Sequence, residues 1–415
     1  MSILKGACVV GQSGGPTAVI NASAEGVIAT ALKSEAITRV LAMKNGILGL
    51  LNDRLFDCSK ETTEDIELLK YTPSSALGSC RYKLKEYTED ETDYIKILEV
   101  FKKYDIRYLF YIGGNDSMDT CNKVSKYMEY IGYECRIIGI PKTVDNDLYG
   151  TDHCPGYPSA AKYIATTISE ISRDNKVYDS KSVVIVEAMG RNAGWLAASA
   201  ALASEISEGP DFIYLPEVVF SLEDFLDNII SLYNKKKSII VVVSEGIRDK
   251  NGRFISEYSS DLAQQKDAFG HSQMGGLAAT LAGFVKEKTG LKTRGIELSL
   301  LQRAATHIAS KTDIEEAYMV GLDAVYYAIE GRSDVMVALE RKEGDDYQSY
   351  QSYTVLQNLS NVANKEQTIP LEWINEEGNN VTDDFIRYAL PLIFGEVQYP
   401  TVNGLPKYAN LKKII

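Results

Sequence analysis

Histidine and tryptophan are scarce in this chain of 415 residues, with three of the first and two of the second. The histidines, His153, His271 and His307, stand far apart and show no metal-ligand spacing, so neither a zinc centre nor a Ser-His-Asp triad is expected. Six cysteines (Cys8, Cys58, Cys80, Cys121, Cys135, Cys154) contain no C-x-x-C pair, and no signal-peptide pattern stands before them. They read as reduced thiols filling the core of a cytoplasmic protein. No apolar run approaches the length that spans a bilayer, so no membrane is expected as a partner. Positive charge is also short: 44 Lys and Arg against 57 Asp and Glu leave a net charge of −13. That balance argues against nucleic acid or an anionic membrane surface, but not against a local basic pocket for a phosphorylated molecule. With 45% hydrophobic and 24% charged residues the composition is that of an ordinary globular protein, long enough for two or three domains with ample cores. No repeat of short fixed period is visible.

What is abundant is one local pattern. Residues 4–10 read as a strand, followed by Gly11-Gln12-Ser13-Gly14-Gly15-Pro16-Thr17 and a helix from Ala18. Gly14 and Gly15 would let the backbone approach an anion, with the N–H groups of the next helix aimed at it. The spacing is neither a Rossmann fingerprint nor a P-loop. Residues 37–43 read as a second strand, and Leu77-Gly78-Ser79-Cys80-Arg81 as a glycine loop ending in a cation. A strand from Tyr104 to Ile112 runs into Gly113-Gly114-Asn115-Asp116-Ser117. Here Asp116 or Ser117 either caps a helix, or Asn115 and Asp116 face a phosphate and its magnesium ion. A strand over Ser182–Ala188, nearly all β-branched and so buried on both faces, ends at Met189-Gly190-Arg191. Ser238–Val243 ends at Ser244-Glu245-Gly246, where Glu245 either accepts from a substrate hydroxyl or caps a turn. Lys292–Arg303 reads as a strand with arginines at both ends, residues 158–172 and 312–329 as helices, and Gly344–Tyr353 as an exposed acidic loop or hairpin.

The richest stretch is Ile138–Leu148. Its apolar strand must stop at Pro141, which has no N–H for a sheet ladder, and Lys142-Thr143-Val144-Asp145-Asn146-Asp147 follows. In an extended loop Asp145 and Asp147 would face one side, giving a base, a supporting acid and a neighbouring cation. The alternative is an Asx-rich surface turn. Five loops of this kind on one chain favour a phosphate-handling α/β enzyme, because phosphoryl transfer needs backbone donors, cations, a carboxylate for magnesium and a base.

Taken together, Gly14-Gly15-Pro16-Thr17 with Asn21-Ala22, Gly113–Ser117, Pro141–Asp147, Met189-Gly190-Arg191 and Leu301-Gln302-Arg303 resemble the phosphofructokinase family, in its order, from residue 4 to about 330. The resemblance implies transfer of a phosphoryl group to the 1-hydroxyl of fructose 6-phosphate. It makes Asp145 the general base, Asp147 its supporting acid and Thr143 a contact to the transferred phosphate. Gly14, Gly15 and Arg81 fall on the donor side, Met189, Gly190, Arg191 and Glu245 on the sugar, and Arg294 and Arg303 on its 6-phosphate. Magnesium is the implied cofactor, with Asn115 and Asp116 as its ligands. ATP-using members resemble Gly-Gly-Asp-Gly-Ser and Pro-Gly-Thr where this chain has Asp116 and Lys142. A carboxylate there repels the α-phosphate of ATP, and an ammonium neutralises a leaving phosphate that carries no nucleoside. Both positions resemble the pyrophosphate-dependent branch of the family, so Lys142 and Asp116 join Asp145 and Asp147 as catalytic candidates.

The chain departs from the family pattern at three places. Asn115 replaces an aspartate metal ligand, Leu300 a substrate-contacting histidine, and Ser182, beside Lys181, a subunit-crossing arginine. The family also implies the architecture. Two Rossmann-like three-layer α/β lobes with mostly parallel sheets are expected, residues 1–150 plus about 305–415 as the donor lobe and 151–304 as the sugar lobe. The tail would pack on the first lobe, in a homodimer or homotetramer. An ATP-dependent kinase, a kinase for another sugar phosphate such as sedoheptulose 7-phosphate, and a non-catalytic sugar-phosphate-binding paralogue are the rival readings.

Overall fold

The most apolar runs of the sequence become strands buried along nearly their whole length. In the computed structural model, which describes residues 3–177, 179–206, 209–258, 276–342 and 349–415, the strands form two large sheets and a small two-stranded one at Thr401–Val402 and Leu405–Pro406. The first contains β1 (Gly6–Gln12), β2 (Ile37–Met43), β3 (Leu55–Asp57), β4 (Ile106–Gly113), β5 (Arg136–Pro141), β10 (Val335–Arg341) and β11 (Ser352–Asn358), in the order β11-β10-β5-β4-β1-β2-β3. Its five inner strands are parallel, and the edge pairs β10/β11 and β2/β3 are antiparallel. The second sheet contains β6 (Ser182–Ala188), β7 (Phe212–Tyr214), β8 (Ser238–Ser244) and β9 (Lys292–Glu297), all parallel, in the order β7-β8-β6-β9.

Parallel strands that are apolar on both sides need cover on both sides. On one face of the first sheet, helices Thr92–Tyr104 and Asn115–Tyr130 pack through Tyr94, Ile97, Met118 and Tyr127. On the other, Ile20–Ala31 and Lys311–Ile329 pack through Ile28, Val320 and Ala324. The last two touch at backbone distance: a Cβ on Gly321 would lie 2.1 Å from the Ser23 carbonyl oxygen. In the first sheet the chain places β2 on one side of β1 and β4 on the other. That reversal opens a crevice at their C-terminal ends, where sheets of this kind take ligands.

Two expectations change. Lys292–Arg303 is not one strand: β9 ends at Glu297, Ser299 turns the chain at a φ of 43°, and Leu301–Ala304 is a short helical turn carrying Arg303. The tail is shared between the lobes. Strands β10 and β11 extend the first sheet, whereas Ile369, Ile374, Phe385, Tyr388 and Leu392 join Val184, Val186, Trp195 and Val242 in a core on the second. The attraction is aromatic: Trp195 has Tyr388 at 5.3 Å and Trp373 at 6.2 Å between ring centroids. The final residues then return to the first lobe, where the Asp57 N–H donates to Lys413 O at 2.7 Å. Of the loop or hairpin expected at Gly344–Tyr353, residues 344–348 lie outside the described set, and Ser352 begins β11, which pairs antiparallel with β10 as a hairpin does.

All six cysteines are free, and burial pushes the thiols of Cys8 and Cys135 up to about 12, as expected of core fillers. Among the described residues no helix is long and apolar enough to cross a membrane.

Candidate active site

The strand ends converge on a cleft of about 310 Å³. It is lined by Gly14, Gly15, Arg81, Asn115, Asp116, Lys142, Thr143, Asp145, Asp147, Met189, Arg191, Glu245 and Arg303. Gly190 is not among the lining residues, but its N–H donates to Glu245 Oε1 at 3.2 Å, and Glu245 lines the cleft. Arg294 is not brought together with the others in this chain. It lies on the exposed edge strand β9 and borders a separate depression with Asn175 and Ser182.

The first glycine loop is bare where cations approach it. Gly14 has a φ of 75°, and a Cβ on it would lie 3.3 Å from Lys142 Nζ; a Cβ on Gly15 would lie 3.2 Å from Arg303 Nη1. Two buried amides hold this loop against the segment bearing Arg81. Gln12 Nε2 donates to Asn21 Oδ1 at 2.8 Å, Gln12 Oε1 accepts from the Leu77 N–H, and Asn21 Oδ1 accepts from the Ala76 N–H. Ser79 Oγ closes the pair by donating to Gly14 O at 2.6 Å.

At the end of β4, helix Asn115–Tyr130 begins from Gly114 with no side-chain cap, so capping does not explain Asp116 or Ser117. Asn115 Oδ1 is buried and without a hydrogen-bond partner, beside the Asp116 carboxylate. A buried amide oxygen left unpaired is costly, and an oxygen-seeking cation would satisfy it, so this corner fits magnesium.

The Lys142–Asp147 loop is turned rather than extended. Asn146 adopts a left-handed φ of 54°, a conformation that asparagine tolerates, and Thr143 Oγ1 accepts from the Asp145 N–H at 3.1 Å. Both acids still reach the cleft. Burial raises the carboxyl of Asp145 above the ordinary range, opposed by Lys142, Arg303 and Arg191. Burial, then Asp145 and Glu366, carry Asp147 up to about 7, and burial with Asp145 carries Glu245 to about 7. Burial lowers Lys142 to about 8 despite its acidic neighbours.

The Lys142 value sets a pH dependence. A lysine lowered to about 8 is charged below that pH and loses its charge above it. An anion that needs this cation should therefore bind more weakly on the alkaline side. kcat/KM, which reports the free enzyme, is expected to fall above about pH 8. In Lys142→Arg the limb should move to higher pH, since guanidinium stays charged. Titration of the substrate is common to both proteins, so parallel pH profiles isolate the residue; an unmoved limb would assign it to another group.

Sequence reasoning missed Ser13, Asn192 and Glu366, which also line the cleft. Ser13 and Asn192 adjoin recognised motifs. Glu366 stands in the tail with no local pattern, carried by a segment whose Gln367 N–H donates to Asp147 O at 2.8 Å.

Fold and cleft together define a two-lobed α/β protein with a cleft lined by glycine loops, cations and carboxylates at its strand ends. Residues 7–327 match the phosphofructokinase family, and the chain belongs to that family. It is 46% identical over 404 residues to pyrophosphate–fructose 6-phosphate 1-phosphotransferase of Methylococcus capsulatus, covering 96% of this chain and 94% of that one. To the enzyme of the same name from Halomonas elongata it is 45% identical, covering 97% and 95%. The crystal structure of pyrophosphate-dependent phosphofructokinase from Nitrosospira multiformis superposes with a TM-score of 0.88 at 43% identity, over 98% of this chain and 97% of that one.

Proposed function

We propose that this protein transfers a phosphoryl group reversibly between pyrophosphate and the 1-hydroxyl of fructose 6-phosphate, giving fructose 1,6-bisphosphate and phosphate. The observation that carries the choice of donor is the placement of Lys142 against Gly14 in a cleft that Asp116 also lines. Lys142 brings an ammonium to the bare donor loop, where a nucleoside-free leaving phosphate needs charge neutralised. Asp116 brings a carboxylate to the corner where the α-phosphate of a nucleotide would have to pass.

In this reading ionised Asp145 accepts the proton of the 1-hydroxyl as its oxygen attacks phosphorus and the bridging P–O bond of pyrophosphate breaks. Asp147 keeps negative charge near Asp145, which favours proton uptake. Thr143, whose oxygen already accepts from the Asp145 N–H, has its hydroxyl hydrogen to give the transferred phosphate. Asn115 and Asp116 hold magnesium, which supplies positive charge for the pyrophosphate oxygens. Arg191 and Glu245 hold the sugar, and Arg303, against Gly15, faces phosphate. Arg294 serves the 6-phosphate of a neighbouring subunit in a homo-oligomer; its position on the open edge of the second sheet supports this.

The test is initial rates with fructose 6-phosphate and magnesium, comparing pyrophosphate and ATP in parallel. Turnover with pyrophosphate and little with ATP is the expected result. Preference for ATP would overturn the donor assignment, and silence with both would favour another sugar or a non-catalytic role.

A further inference from the structure

The tail beyond residue 327, where the family match ends, reaches the catalytic loop twice. The first contact is through Glu366. It pairs with Leu148 in an antiparallel bridge, and its neighbour Gln367 donates to Asp147 O. Its carboxylate accepts from Asn192 Nδ2, with both oxygens at 3.2 Å, and Asn192 Oδ1 accepts from Arg248 Nη2 at 3.0 Å. Gln367 O accepts from Trp195 Nε1 at 3.1 Å, anchoring the segment in the second lobe. The second contact is Tyr388. Asn146, the left-handed residue between the two acids, donates through Nδ2 to Tyr388 Oη at 2.8 Å, and Tyr388 donates to Asp152 O at 2.8 Å. Asp152 is itself locked by a two-bond pair with Arg341 and by buried His153, which also meets Glu316 at 2.7 Å. The support beneath the loop is thus rigid, while Glu366 stands in the cleft wall itself.

We propose that Glu366 is a positioning residue of the phosphoryl-transfer site, clamping the Asp145–Asp147 loop to the sugar-binding loop of the second lobe and supplying the negative charge at the junction. This rests on the function proposed above. The placement has an electrostatic consequence. Asp145 and Asp147 are faced by Lys142 of their own loop, Arg191 after β6, Glu245 after β8, Arg303 after β9 and Glu366 of the tail. Glu366 adds negative charge to this set and so favours proton uptake by both acids. Its bond to Asn192 fixes the residue next to Arg191, on which acceptor binding depends.

The experiment compares wild type with Glu366→Gln and Glu366→Ala. Glutamine keeps an oxygen for Asn192 but removes the charge. Its acid limb in kcat/KM is expected to move to lower pH by about half a unit. Alanine loses charge and bond, and its KM for fructose 6-phosphate is expected to rise about tenfold while the KM for pyrophosphate changes little. Carboxyl titrations of Asp145 and Asp147, followed by carbon-13 NMR in wild type and Glu366→Gln, read the same shift without turnover. An unmoved limb, unmoved titrations and an unchanged KM would overturn the role of Glu366. A wild type that turns over neither donor but shows the titration shift would keep this inference and sink the proposed reaction.

Discussion

Asp145→Asn is expected to lower kcat for pyrophosphate-dependent phosphorylation by about 10³, with both KM values within a few-fold of wild type. The substitution is close to isosteric. The backbone bond from Asp145 N to Thr143 Oγ1 and the support from Asn146 do not involve the carboxylate, so the loop should keep its shape. What is lost is an oxygen that can take a proton. Asp145 is half-buried among Lys142, Arg303 and Arg191, whose charges favour its ionised form against the desolvation that opposes it. Asparagine in that setting keeps contact with the hydroxyl but cannot accept its proton, so the effect belongs in kcat. Steady-state kinetics in both directions checks this, because the same carboxyl must return the proton in reverse. A variant within tenfold of wild type in kcat would remove Asp145 from the role of base, and Asp147 would be next to test.

How far the sequence reached depended on whether the determining interactions were local. The strand over Ser182–Ala188 was legible because β-branched residues buried on both faces leave few alternatives to a central parallel strand, and it is found at those residues. The loops at Gly14, Asn115, Lys142 and Met189 were legible for a related reason: each sets polar groups after a strand end within a few residues, and all four line the cleft. The turn at Asn146 was legible only as the Asx-rich alternative to an extended loop, and what holds it was not. Its left-handed φ is held by Tyr388 and by the Cys154 N–H, and the tyrosine is more than two hundred residues away. Glu366 escaped for the same reason, since nothing around it distinguishes a cleft residue from a solvated surface glutamate. The packing of Phe385 and Leu392 on the second lobe was equally invisible, because amphipathic spacing shows that a face is buried but not against what. Arg294 illustrates a different limit: its place in the sequence matches the family, and its place in this chain is an open sheet edge outside the cleft.

The double variant Asp116→Gly with Lys142→Gly is expected to lower kcat/KM for pyrophosphate by about 10³, most of it from the lysine. An ammonium about 4 Å from a phosphate charge in a partly solvated cleft contributes about 4 kcal/mol, and each 1.4 kcal/mol is a tenfold change in rate or affinity. Part of that loss is returned by water entering the space and by Arg303, which stays against Gly15. Asp116 acts in the opposite sense on the two donors. It lines the corner with Asn115, where in the proposed reaction it would help to hold magnesium and would repel an α-phosphate. Removing it should cost pyrophosphate turnover and relieve the exclusion of ATP, so the ratio of ATP to pyrophosphate activity should rise further in the double variant than in Lys142→Gly alone. The Asp116 side chain is half-exposed whereas Lys142 is buried, so folding of the double variant has to be checked directly. Initial rates with each donor, alongside thermal melting to confirm folding, decide the matter. Full pyrophosphate turnover in the folded double variant would mean that Arg81, Arg303 and the backbone donors of the glycine loops suffice for the leaving phosphate, and that donor choice is set elsewhere in the cleft.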